Sequence, residues 1–229
     1  MRFRRSRRAR RLSMRVFPHG TVEVVVPQRI AAAEVQAFVT SNQAWIDRAR
    51  NEMAQLGCAS DLSPPRSIEF AFRPQKFQVS YVTAGSRSHL EQRPAGKLRV
   101  HQSSDDAVAT RRLLRRWVAS RAADLLVPDM QHLARSTGLH PSGIRIGRQR
   151  SRWGSCSSAG RINLNCALLF VQPALVEYLM IHELCHLKHL NHSGRFWKLV
   201  EKHLPDYRWR EAELSKSWTQ VPGWMFYDA

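Results

Sequence analysis

Short apolar runs with alternating character open the chain. Arg11 to Phe17 reads as a strand, Pro18-His19-Gly20 as a turn, and Thr21 to Val26 as a second strand, so the pair predicts a hairpin that Pro27 ends. The period then changes. Ala31 to Gln55 carries apolar residues at helical spacing, with Val35, Phe38, Val39, Trp45 and Ile46, and more weakly Ala44, on one side. Gly57 to Arg66, with Pro64-Pro65, reads as loop. Strands are expected at Ile68 to Phe72, Phe77 to Val82 and Lys97 to His101, with the polar stretch Thr83 to Gly96 as loop.

Asp105-Asp106 suit the start of a long helix, because acidic groups there satisfy free backbone N–H groups and oppose the helix dipole. The pattern carries that helix to about Leu126. Pro128 is expected to interrupt it, a further helical segment reaches Ser136, and Gly138 lies near the end. Beyond it, Ile144 to Arg148 is strand-like, Trp153 to Ser157 reads as a turn or loop, and Arg161-Ile162-Asn163-Leu164-Asn165 alternates as a strand. Pro173 suits the first turn of a helix whose apolar pattern runs through Glu177-Tyr178-Leu179-Met180-Ile181 to Leu184, Leu187 and Leu190. Helices follow at Phe196 to about His203 and Tyr207 to Trp218, separated by Pro205-Asp206, and the aromatic end Trp224 to Tyr227 is expected to tuck against the body. The fold class is therefore α+β. A basic N-terminal hairpin, helix and small-sheet region (1–103) leads into a compact second unit (104–229).

The candidate chemistry lies in Ile181-His182-Glu183-Leu184-Cys185-His186 with His192 beyond it. On a helix, His182 and His186 stand one above the other, so both imidazoles can reach one zinc ion. Glu183 points beside them, where it can hold a water as general base. A catalytic zinc usually has three protein ligands and one open position. His189 stays on the same face if the helix continues, but a turn further along. His192 reaches the metal only if the chain turns, which Asn191 is suited to do in a left-handed conformation. His192 is the expected third ligand, and His189 is expected to support the site or lie on polar surface near it. The competing reading is a buried helix whose histidines serve packing alone.

Composition changes this picture in three ways. At 43% hydrophobic and 24% charged the chain reads as globular, and no apolar run approaches the ~18 residues of a membrane span. The Arg-rich start is followed by no apolar signal core, so the expected location is the cytoplasm. Cys58, Cys156, Cys166 and Cys185 form no C-x-x-C pair and are too scattered for a disulfide framework; Cys185 is expected to be a buried free thiol rather than a ligand.

The net charge of +18 favours anionic partners. Arginines gather in the first fifteen residues, at Arg111, Arg112, Arg115, Arg116 and Arg121, and at Arg145, Arg148, Arg150, Arg152 and Arg161. Nucleic acid or another polyanion is a candidate partner, against the plainer reading of a solvated basic surface. No recognised nucleic-acid-binding motif is present.

Trp153-Gly154-Ser155-Cys156-Ser157, Gly160-Arg161-Ile162-Asn163-Leu164-Asn165, His182 to Leu187, Asn191-His192-Ser193, Phe196-Trp197 and Pro205-Asp206-Tyr207 together resemble the YgjP-like metallopeptidase family. The opening Arg8 to Val16 and the Gly20 to Pro27 segment also resemble that family's first hairpin. The resemblance is strongest from about residue 142 to 215. It implies a zincin-like catalytic domain related to the SprT-like and WLM peptidases. It also implies zinc as cofactor, His182, His186 and His192 as metal ligands, Glu183 as the catalytic residue, and a peptide or protein substrate. Gly194 stands where a proline is common in that family. The strand Arg161 to Asn165 is expected to offer backbone groups to an extended peptide, and Tyr207 or a nearby arginine is a candidate to hold the oxyanion. Two other classes stay open at this level: a zinc-dependent phosphoanhydride or nucleotide hydrolase, and a nucleic-acid-binding protein with a structural metal.

Overall fold

The computed structural model describes all residues except 8, 17–20, 56–62, 84–87, 103–105, 150–151 and 227–229. The expected turn at 18–20 lies outside the described residues, as do Tyr227 and most of the expected loop before Arg66. The chain divides into two compact units, Met1–Leu62 and Ser63–Ala229.

In the first unit, β2 (Ser13–Val16) pairs antiparallel with β3 (Val22–Pro27), as the hairpin reading requires. The Arg-rich start also folds: β1 (Arg2–Ser6) pairs parallel with β3, giving the order β1-β3-β2. Arg4 spends its charge on Glu23 across that pairing, at 3.1 Å. The expected single helix is two, α1 (Ala32–Ser41) and α2 (Gln43–Gln55), because Asn42 turns its side chain back to the Phe38 carbonyl at 2.8 Å and ends the first. Val22, Val24, Val26, Val39 and Ile46 form this unit's core, whereas Trp45, expected on the apolar side, is exposed.

The second unit begins with a sheet ordered β4-β5-β7-β6, made of β4 (Ser67–Phe70), β5 (Gln75–Thr83), β6 (His89–Arg93) and β7 (Lys97–Gln102). The β6 strand lies in the stretch expected to be loop. Its polar residues pair antiparallel along β7, so it is the outer strand of the sheet, where few apolar side chains are needed.

Residues 63–102 fold with the C-terminal half and not with the N-terminal region, so the expected boundary at 103 is displaced to 62. The reason is burial. Ile68, Phe70, Phe77, Leu98 and Val100 enter one apolar core with Leu113, Leu114 and Val118 of α3 (Ala107–Thr137) and with Ile162 and Leu164. Phe70 stacks on Trp117 at 5.7 Å and meets Phe170 edge-on at 5.5 Å. Ala71 and Phe72 also donate backbone hydrogen bonds to the Leu169 carbonyl.

The α3 helix is continuous over 31 residues with Pro128 inside it. The proline sacrifices one helical hydrogen bond, but Ala122, Leu126, Met130 and Ala134 are buried on either side at helical spacing, and that packing carries the helix through. Asp106 caps its start, accepting from the Val108 and Ala109 N–H groups, and Gly138 ends it in the left-handed conformation. A second sheet follows, ordered β8-β10-β9: β8 (Gly143–Gly147) is parallel and β9 (Gly154–Cys156) antiparallel to β10 (Arg161–Asn165). Residues 154–156, expected as turn or loop, are thus a strand. The chain continues through a 3-10 turn (Cys166–Phe170) to α4 (Pro173–Cys185), α5 (Gly194–His203) and α6 (Tyr207–Lys216), then to two further 3-10 turns. Trp224, Met225 and Phe226 tuck into the core.

Candidate active site

The site is built on α4, which is buried nearly all round: Leu175, Val176, Leu179, Met180, Ile181 and Leu184 hold it in the core. The regular helix ends at Cys185, earlier than the apolar pattern suggested. His186 still has helical dihedrals, and its N–H bonds the His182 carbonyl at 3.3 Å, so the i, i+4 relation of the two rings survives. The chain then tightens, with Leu187 bonded to Leu184 and both Lys188 and His189 to Cys185. Asn191 does not take the left-handed conformation expected of it; among the described residues Ala95 alone, of the non-glycines, has positive φ.

The turn returns His192 to the helix face. One ring nitrogen from each of His182, His186 and His192 lies within 4.8 Å of the others, and the Nε2 atoms of His182 and His192 are 3.1 Å apart. Phe196, fully buried at the start of α5, lies beneath all three rings, with centroids 4.9, 4.5 and 4.9 Å away. Trp197 stacks on His192 and also on Tyr207.

Two of the remaining ring nitrogens have partners. His186 Nδ1 lies 2.9 Å from the His189 carbonyl oxygen, which can only accept, so Nδ1 carries the proton and Nε2 keeps its lone pair. His189 thus serves the site through its backbone. His182 Nδ1 faces the Tyr178 hydroxyl at 3.4 Å. Burial and the neighbouring rings of His186 and His192 push the His182 pKa down to about 3, and burial lowers that of His186. Both rings are therefore neutral near pH 7, the form that binds metal.

Glu183 is 4% exposed and its Oε2 has no hydrogen-bond partner. Burial raises its pKa to about 7, against the opposing charge of Arg152. A carboxylate this dry and unpartnered is costly unless its environment contains a ligand, a proton or a water to use it. Three converging imidazoles beside such a carboxylate are a donor set that fits a catalytic divalent metal. Cys185 is buried, its pKa pushed up to about 12, and it is not part of the cluster.

Two residues of the site carried no such assignment in the sequence. Gly154 abuts Glu183: a Cβ there would meet Oε1 at 2.7 Å. Asn165 is 2% exposed and holds the segment before β9, donating from Nδ2 to the carbonyls of Gln149 (2.7 Å) and Arg152 (2.9 Å) while Oδ1 accepts from the Ala167 N–H. The spacing of a glycine and an asparagine gave no chemical signal; Gly154 comes to Glu183 on β9, a strand that exists through its pairing with β10. The same pairing changes the expectation for Arg161–Asn165. As β10 it is flanked on both sides, by β8 and β9, so the sheet edge beside Glu183 belongs to β9. Tyr207, the candidate oxyanion group, is buried against Trp197 and its hydroxyl accepts from Arg208 Nε at 3.2 Å.

Residues 10–217 match the family model described as YgjP-like, metallopeptidase domain. The chain belongs to that family. A YgjP-like chain of this kind is a metallopeptidase at family level, and therefore a hydrolase. No curated protein matches it. Among solved structures it is similar to the metallopeptidase zymogen of Pyrococcus abyssi abylysin, with 30% identity over 37% of this chain and 87% of that one, at a TM-score of 0.34. Such a loose superposition carries nothing beyond the likeness itself. None of the described helices of this YgjP-like chain is long and apolar enough to cross a membrane.

Proposed function

We propose that this chain is a zinc-dependent peptidase of the cytoplasm. In this reading His182, His186 and His192 hold the metal, and Glu183 is the general base. The observation that carries it is the convergence of three imidazole nitrogens within 4.8 Å beside the buried, unpartnered carboxylate of Glu183. A zinc ion held there supplies Lewis acidity, polarising a substrate carbonyl and acidifying water.

The chain supplies the rest. An extended peptide pairs along the outer edge of β9, which aligns its carbonyl over the histidines. Glu183 takes a proton from water as the oxygen attacks the carbonyl carbon. As the C–N bond breaks, it passes that proton to the departing amine. A carboxyl group whose pKa lies near 7 suits both transfers. Tyr207, on the aromatic stack behind His192, is the candidate to steady the oxyanion.

A structural metal is disfavoured by the donor set, since closed structural sites usually have four ligands and are Cys-rich. The test is Glu183→Gln. Bound zinc should persist at one per chain while cleavage of an unfolded protein substrate falls by about a thousandfold. Full activity in the variant would remove Glu183 from its role. Glu183-dependent release of phosphate from nucleoside triphosphates, with protein left intact, would replace the peptidase by a nucleotide hydrolase.

A further inference from the structure

The N-terminal half of α3 carries four arginines in six residues, and they divide by face. Arg111 and Arg115 are buried, whereas Arg112 and Arg116 point outward. With Arg148, exposed just beyond β8, these two border a concavity of about 400 Å³ whose floor includes Ala109 and Leu113. The three basic side chains come from two elements distant in sequence, and none of the described residues that line the concavity is acidic.

This arrangement is electrostatically unfavourable in the protein alone. Arg112 and Arg116 are an i, i+4 pair of like charge, which destabilises a helix. None of the three engages an ion pair among the described residues, in contrast to Arg4, Arg73, Arg93, Arg121 and Arg210 in the same chain. An anion bound across the groove would relieve all of these terms together.

Guanidinium groups match phosphate in geometry, offering two parallel N–H donors to two oxygens, and they do so more specifically than they match isolated charge. A concavity of this size takes a nucleotide-sized piece of ligand, and the apolar floor suits a sugar. The net charge of +18 would draw a polyanion toward it over long range.

We propose that the groove bordered by Arg112, Arg116 and Arg148 binds the phosphodiester backbone of a nucleic-acid strand. The groove contains no residue of the metal centre, so this binding stands or falls independently of the peptidase reading.

The test uses the full chain and a fluorescent single-stranded DNA of about 20 nucleotides, longer than the ~4–16 that single-strand grooves commonly cover. Anisotropy is read between about 50 and about 200 mM salt. The groove variant is R112Q/R116Q/R148Q. A control, R135Q/K198Q/K202Q, removes equal charge from exposed positions outside the groove. The expected result is a Kd raised at least tenfold in the groove variant. Its salt slope should fall by about 2, at ~0.7 per lost phosphate contact. The control should change Kd less than threefold. No binding by the wild type, or equal losses in both variants, would overturn the groove as a site. Competition by polyglutamate at equal charge concentration would also overturn it, since the groove would then seat acidic protein. Peptide cleavage, measured without nucleic acid, should be the same in the wild type and the groove variant, which keeps failure of this inference separate from failure of the peptidase reading.

Discussion

Gly154 and Glu183 touch: the α-carbon of one closes on the carboxylate of the other so tightly that a methyl group would stand 2.9 Å from Glu183 Cγ and 2.7 Å from Oε1. Glu183 is buried and α4 is fixed in the core, so neither side can yield cheaply. Gly154→Ala is expected to displace the carboxylate and lower turnover by about a hundredfold, the usual penalty for a misplacement near 1 Å. Zinc stoichiometry should stay at one, because the histidines are untouched. A variant with wild-type kcat would show that Glu183 has room to spare.

Tyr178 and His182 make a second testable pair. If zinc binds His182 through Nε2, the Nδ1–H donates to the Tyr178 hydroxyl, which fixes the ring's tautomer and orientation. Tyr178→Phe keeps the buried ring and loses only the oxygen. Zinc affinity, measured by competition with a chromogenic chelator, should fall about tenfold, while the melting temperature of the metal-free protein changes little. Unaltered affinity would leave Tyr178 with a packing role alone.

Asn165 offers a stability test. Asn165→Ala removes one buried acceptor and two buried donor contacts and leaves the Gln149 and Arg152 carbonyls without that partner. The expected loss is about 2–4 kcal/mol in urea unfolding. Turnover should also drop, because the segment Asn165 holds leads directly into Gly154. A loss below about 0.5 kcal/mol would mean that other groups hold this segment.

Metal removal should be visible without any substrate. A ligand that binds only the folded chain, at roughly a thousand times its Kd, stabilises it by about 4 kcal/mol. For a chain of this size that is roughly 8–16 °C in melting temperature. A chelator should remove that increment from the wild type and leave His186→Ala unchanged. A wild type indifferent to chelator would argue against a bound metal at these histidines.

The chemistry was legible in the sequence because it is local. His182, Glu183 and His186 are related by the pitch of one helix, and the hairpin at Ser13–Val16 and Val22–Pro27 by one short connection. What escaped the sequence depends on partners far along the chain. Arg2–Ser6 is a strand only because β3 offers it a parallel edge. Residues 154–156 are extended because β10 pairs with them, and His89–Arg93 because β7 does. The early end of α4 and the path to His192 follow from packing on Phe196, which no periodicity encodes. Pro128 misled for the converse reason: a local breaking signal was overridden by burial on both sides of it.

The α3 helix has a practical consequence. Its apolar side is shared, with Phe77 meeting Trp117 at 4.8 Å while Leu113, Leu114, Val118 and Leu126 belong to one core with Ile162, Leu164 and Leu184. A fragment beginning at residue 104 would contain every histidine of the site, yet it would bare the flank of α3 that the β4-β5-β7-β6 sheet covers. An open apolar surface of that kind recruits other chains. The smallest piece that keeps this core closed starts at Ser63, and activity sought in anything shorter would be sought in an aggregate.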